Sequence, residues 1–131
     1  MVLTKTPICN FGEKAKNFEL LSIENKNITL DDIKGENGTL IMFICNHCPY
    51  VKAIVKDLVE DTNFLNDLGV KSVSIMSNDV KNYPDDSFEN MIIFAKENNF
   101  NTVNYLIDET QEIAKKYNAV CTPDFLPTIK I

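Results

Sequence analysis

Apolar and polar positions along the chain fall into short blocks that alternate between strand-like and helix-like spacing. Phe18, Leu20, Leu21 and Ile23, then Ile28 and Leu30 across the polar stretch 24–27, predict two extended segments joined by a turn, an N-terminal hairpin. Residues 31–35 (DDIKG) followed by Glu36, Asn37 and Gly38 predict one helical turn ending in a glycine loop. Residues 39–45 (TLIMFIC) are a continuous apolar run, the pattern of a central strand buried on both faces of a parallel sheet.

From Val51 onward, Ile54, Val55, Leu58, Val59, Leu65 and Leu68 recur at helical spacing until Gly69 supplies a stop, so a long amphipathic helix is expected there. Residues 70–76 (VKSVSIM) return as a strand that halts at Ser77, Asn78 and Asp79, completing a strand-helix-strand unit. Asp86 followed by Glu89 has the form of a capping box, and Phe88, Met91, Ile92 and Ala95 trace one face of a second helix to about Asn98. Residues 104–108 (NYLID) predict a short strand, and Thr110 opens a helix through Ile113, Ala114 and Tyr117 that stops near Asn118. Residues 121–124 (CTPD) read as a turn. Strands alternating with helices define an α/β domain with a parallel or mixed sheet flanked by helices.

A length of 131 residues holds one domain. The formal net charge of −6 gives no positive footprint for a phosphate backbone or an anionic membrane, so neither is an expected partner. All thirteen basic residues are Lys, which removes every bidentate guanidinium clamp. The apolar runs fall far below the ~20 residues of a membrane span, and the N-terminus lacks the apolar core of a secretory signal. The cytoplasm is the expected location.

The four cysteines, at 9, 45, 48 and 121, are too sparse and uneven for a secreted disulfide scaffold, which favours a redox or metal role. Cys45, Asn46, His47, Cys48 and Pro49 form a CxxC placed where a buried strand ends and a long helix begins. A helix N-terminus stabilises a thiolate, so Cys45 is the expected nucleophile, more exposed and with a lowered pKa. Two intervening residues bring the sulfurs within disulfide range, so Cys48 is the expected buried resolving thiol. A protonated His47 beside the thiolate would favour the reduced form and make the pair more oxidising than thioredoxin. Zinc is set aside for want of ligands, since only Cys9, Cys121 and His47 stand beside the pair. Cys121, two residues before Pro123, is a candidate third redox thiol, with a buried inert thiol the commoner case. Cys9 is assigned no function.

GEKAKNFEL at 12–20, FICNHCPYVK at 43–52, SND at 77–79, YPDDSFENM at 83–91, YLIDETQEIAKKY at 105–117 and AVCTPDF at 119–125 together resemble the thioredoxin-like redoxins of the AhpC/TSA superfamily. The resemblance covers nearly the whole chain to about Phe125. It implies a thioredoxin-like fold with an N-terminal hairpin, a catalytic pair at Cys45 and Cys48, and a cis bond between Thr122 and Pro123 that faces the pair. Thr122 and Pro123 are then the substrate-binding residues, offering backbone groups to an extended segment. Residues 126–131 do not continue the family pattern, so its final antiparallel strands and last helix are expected to be missing and the domain incomplete after about residue 125. A bare sheet edge and an uncovered face would follow.

Dithiol/disulfide exchange is the leading expectation, with a disulfide-containing protein or small thiol as substrate, a thioredoxin- or glutathione-type reductant, and no metal or organic cofactor. The first alternative is a thiol peroxidase of peroxiredoxin type using Cys45, for which the Pro-x-x-x-Thr-x-x-Cys pattern and the Arg of that group are lacking. The second alternative is a module that holds a soft ion such as Cu(I) between Cys45 and Cys48.

Overall fold

The structure is a computed structural model that describes residues 15–119 and 121–129; Cys9 lies outside them. The expected hairpin is β1 (Glu19–Ser22) and β2 (Asn27–Thr29), antiparallel with Leu20 opposite Ile28. The apolar run forms β3 (Gly38–Phe43), the long amphipathic segment forms α1 (Pro49–Asp67), and β4 (Val70–Met76) returns parallel to β3. Then come α2 (Phe88–Glu97), β5 (Val103–Ile107) parallel to β4, α3 (Glu112–Lys116) and β6 (Asp124–Ile129). The six strands make one mixed sheet in the order β2-β1-β5-β4-β3-β6.

Alternation along the strands divides their side chains between two faces. On one face Met42, Met76 and Tyr105 pack with Val51, Val55 and Val59 of α1 and Met91 and Phe94 of α2. On the other, Ile41, Phe43, Val73, Ile75 and Leu106 meet Phe18, Leu30, Ile33 and Ile113. β3 is covered on both faces, which is why its sequence is apolar without interruption. Its carboxyl end therefore delivers residues 44–48 from the middle of the fold.

Three sequence expectations are corrected. The segment after Pro123 does continue the sheet: β6 runs antiparallel to β3, with Phe125 opposite Met42 and Leu126 opposite Ile41, so one of the antiparallel strands expected to be missing is present. Pro127 hid it, yet β6 is the outermost strand, where a residue without an N–H is tolerated. No helix follows it among the described residues. The cap of α2 is Ser87, whose side chain accepts the Asn90 N–H at 3.2 Å, and Asp86 turns inward instead. The helix expected from Thr110 is shorter, because Gln111 at φ 64° and Asn118 at φ 56° lie in the left-handed region at its ends.

The turn between α1 and β4 depends on Gly69. Its φ is 81°, and a Cβ there would lie 2.6 Å from Asn37 Nδ2, which donates to Leu68 O at 2.7 Å and closes the helix end. Gly69→Ala combines a left-handed backbone with that overlap, so it should destabilise the domain by about 1 kcal/mol or more. Chemical denaturation is the check: a lower midpoint with an unchanged slope is expected, and an unchanged midpoint contradicts this reading.

Candidate active site

β3 ends at Phe43, and Ile44 still donates its N–H to Ile75 O at 3.1 Å, so the sheet anchors the chain up to the first cysteine. Cys48 is the N-cap of α1, and Pro49 occupies the first turn, where its missing N–H costs nothing. Both thiols meet Thr122: Cys45 Sγ lies 3.4 Å from Thr122 Oγ1, and Cys48 Sγ donates to Thr122 O at 3.5 Å. The Thr122–Pro123 peptide is cis. The pair and Thr122 line a cleft of about 930 Å³ that His47, Tyr83 and Cys121 also border. The sheet thus brings together residues more than 70 positions apart in sequence.

The two residues inside the CxxC are held from below by Asp86, a side chain with no exposed surface. Its Oδ1 accepts the Asn46 N–H at 2.7 Å, and its Oδ2 accepts from Asn78 Nδ2 at 2.9 Å and pairs with His47 Nδ1 at 2.6 Å. Against an ionised carboxylate, which only accepts, His47 Nδ1 is the donor of this contact. The Tyr83 ring stacks on the imidazole at 5.2 Å with an interplanar angle of 8°. Asn46 is fixed a second time, its Oδ1 accepting from the buried Tyr105 hydroxyl at 2.8 Å.

Electrostatics follow from this packing. Burial pushes the Cys45 thiol pKa up, the Thr122 hydroxyl opposes that, and the Asp86 charge adds to the rise. Burial, Cys45 and Asp86 likewise raise Tyr105 well above the ordinary phenol. Cys121 is raised by burial first, then by Asp124 and Cys48. The sequence expectation for Cys45 is reversed on two counts. It is buried, 1 % exposed beside 0 % for Cys48, and it precedes the helix cap by three residues, beyond the first turn where the dipole acts.

Of the residues singled out in the sequence, Cys45, His47, Cys48, Thr122 and Cys121 share the cleft. Cys121 is half-buried on its wall. The residue that sequence reasoning missed is Asp86. Its place before a helix, three residues ahead of Glu89, fitted a cap, and the serine beside it was the signal that a cap was already available.

A CxxC pair following an interior sheet strand, capping a helix and meeting a cis-proline turn defines a thioredoxin-like redoxin site. The chain belongs to the AhpC/TSA family, whose profile matches residues 11–129. It is similar to an uncharacterized conserved protein from Geobacillus kaustophilus, at 44% identity and a TM-score of 0.87, over 94% of this chain and 64% of that one. It is also similar to a hypothetical protein from Sinorhizobium meliloti 1021, at 31% identity and a TM-score of 0.88, over 92% of this chain and 66% of that one. The chain therefore spans slightly less than two thirds of the length of these two proteins. A secreted Mycobacterium tuberculosis disulfide oxidoreductase homologous to E. coli DsbE shares the fold, at 19% identity and a TM-score of 0.68, over 82% of this chain and 72% of that one. No curated protein matches the chain.

Because burial and Asp86 hold the Cys45 thiol protonated, its alkylation by iodoacetamide should rise with pH through a midpoint above the ordinary thiol range. Asp86→Asn should lower that midpoint. Mass spectrometry of the labelled Cys45 peptide is the check, and a midpoint below that of free cysteine contradicts the assignment.

Proposed function

We propose that the protein is a thiol-disulfide oxidoreductase that works as a dithiol reductant. The observation that carries this reading is the convergence of both sulfurs on Thr122, beside Pro123, in one open cleft. Cys45 first loses its proton to the solvent of the cleft it lines. The thiolate attacks one sulfur of a substrate disulfide, a mixed disulfide forms, and the other substrate sulfur leaves as a thiol. Cys48 then attacks Cys45 Sγ, releasing the second substrate thiol and leaving a Cys45–Cys48 disulfide. Two electrons pass to the substrate, and an external reductant, one dithiol of thioredoxin type or two thiols of glutathione type, restores the pair.

The reductant direction comes from the thiol's environment. A site that stabilises the thiolate favours the reduced form and oxidises others, as DsbA does, whereas burial beside a carboxylate does the opposite. His47, the expected tuning residue, is paired with Asp86 at 2.6 Å, and the same carboxylate adds to the rise of the Cys45 pKa behind burial. The substrate class that fits is a disulfide in an extended protein segment, whose backbone can pair with the Thr122–Pro123 turn, or a small disulfide that enters the cleft. A peroxidase needs a stabilised thiolate, whereas burial, with Asp86 adding to it, pushes the Cys45 thiol the other way.

Cys48→Ser should accumulate a stable mixed disulfide on Cys45 when given a protein disulfide such as insulin's, while Cys45→Ser should form none and abolish turnover. Non-reducing mass spectrometry reads both. Equal reduction of insulin by wild type and Cys45→Ser, or consumption of hydrogen peroxide faster than of disulfide, contradicts the assignment.

A further inference from the structure

Donors suited to a borderline divalent cation converge behind the cleft. Cys45 Sγ, a ring nitrogen of His47 and a carboxylate oxygen of Asp86 all lie within 4.8 Å of one another. Cys45 and Asp86 are buried and His47 is half-buried, with 31% of its side chain exposed. One thiolate, one imidazole and one carboxylate is a three-ligand set of the kind that holds zinc with a fourth position open. The sequence argument against zinc counted only cysteines and histidine; Asp86, 39 positions from His47, supplies the donor that was lacking.

We propose that the reduced protein binds one Zn²⁺-class cation through Cys45 Sγ, His47 Nδ1 and Asp86 Oδ2. Zinc bonds of ~2.0–2.3 Å place tetrahedral donors roughly 3.5 Å apart. The pair at 2.6 Å must open by about one ångström around the metal while Cys45 closes in, a movement within side-chain reach. The outer contacts are already in place: Asn46 N–H on Oδ1 and Asn78 Nδ2 on Oδ2 orient the carboxylate, as partners behind a metal ligand do. Binding exchanges the Cys45 S–H bond for an S–metal bond and releases one proton. The imidazole hydrogen moves from Nδ1 to Nε2, and no electrons are transferred.

The consequence is competition between metal and disulfide at a single sulfur. A Cys45 thiolate that holds the cation cannot attack a disulfide, and a Cys45–Cys48 disulfide cannot hold the cation, so oxidation releases it. The inference rests on Cys45 being reduced and not on catalysis of exchange, so it can stand where the reductase reading fails.

Anaerobic titration of the reduced 131-residue chain with Co²⁺, followed by displacement with Zn²⁺, is the test. The expected result is one equivalent bound, with one thiolate-to-cobalt charge-transfer band and tetrahedral d–d bands. Cys48→Ser should keep this spectrum and stoichiometry. Asp86→Asn and His47→Gln should each weaken binding at least ~10–100-fold, the loss seen when even an outer-shell partner is removed. Circular dichroism confirms that each variant is folded, and His47→Gln, on the half-exposed residue, keeps the test open if Asp86→Asn does not fold. The proposal is overturned by a two-thiolate spectrum that Cys48→Ser abolishes and His47→Gln leaves intact. It is equally overturned by no binding at micromolar metal.

Discussion

A carboxylate with no exposed surface is costly to bury unless its oxygens are satisfied, and Asp86 is satisfied by the residues that make up the site. The Asn46 N–H, the His47 imidazole and the Asn78 amide all meet it. The stretch between Cys45 and Cys48 has no regular secondary structure to hold it, so these contacts take that part. Removing the carboxylate would leave the Asn46 N–H without a partner in a buried place, a loss of order 1–3 kcal/mol. The same charge that fixes the loop also opposes ionisation of Cys45. Positioning of the loop and one part of the electrostatics at Cys45, behind burial and the Thr122 hydroxyl, therefore come from the same carboxylate.

The sheet supplies the second half of the site. β3 sits between β4 and β6, so its end is fixed from both sides and brings Cys45 opposite the turn that begins β6. Asp124 is opposite Phe43 in the antiparallel register, which sets Thr122 and Pro123 level with the sulfurs. Asp86 arrives from the segment after β4, which runs parallel to β3, so its end lies beside the end of β3. Three segments far apart in sequence thereby meet at one edge of the sheet, as expected for a parallel arrangement in which strand ends share a side.

The strands and the long helix were legible because burial on two faces leaves an unbroken apolar run and burial on one face leaves a helical period. β3, α1 and β4 follow those patterns to within a few residues. β6 was not legible, since its pairing with β3 is long-range and Pro127 reads locally as a break. In the site, Cys45 and Cys48 announced themselves by spacing, and Thr122 with Pro123 came through the family resemblance. Asp86 stayed hidden because a local rule explained it adequately: an acid before a helix reads as a cap, and the donors that claim it lie up to 40 positions away. The direction of the Cys45 shift was misjudged for a related reason. A motif shows that a cysteine precedes a helix, but not that it sits three residues outside the cap and beneath the surface.

Equilibration of the reduced and oxidised protein against a series of glutathione or dithiol ratios, with the Cys45/Cys48 pair read apart from Cys9 and Cys121 by alkylation and mass spectrometry, is the most direct test. The expected result is a single two-electron transition of the pair at a potential nearer to thioredoxin's, about −270 mV, than to DsbA's, about −120 mV. In Asp86→Asn that transition should move toward the oxidising side. A pair that never joins, or one as oxidising as DsbA and unmoved by Asp86→Asn, would contradict the role given to the buried carboxylate and the exchange chemistry built on it.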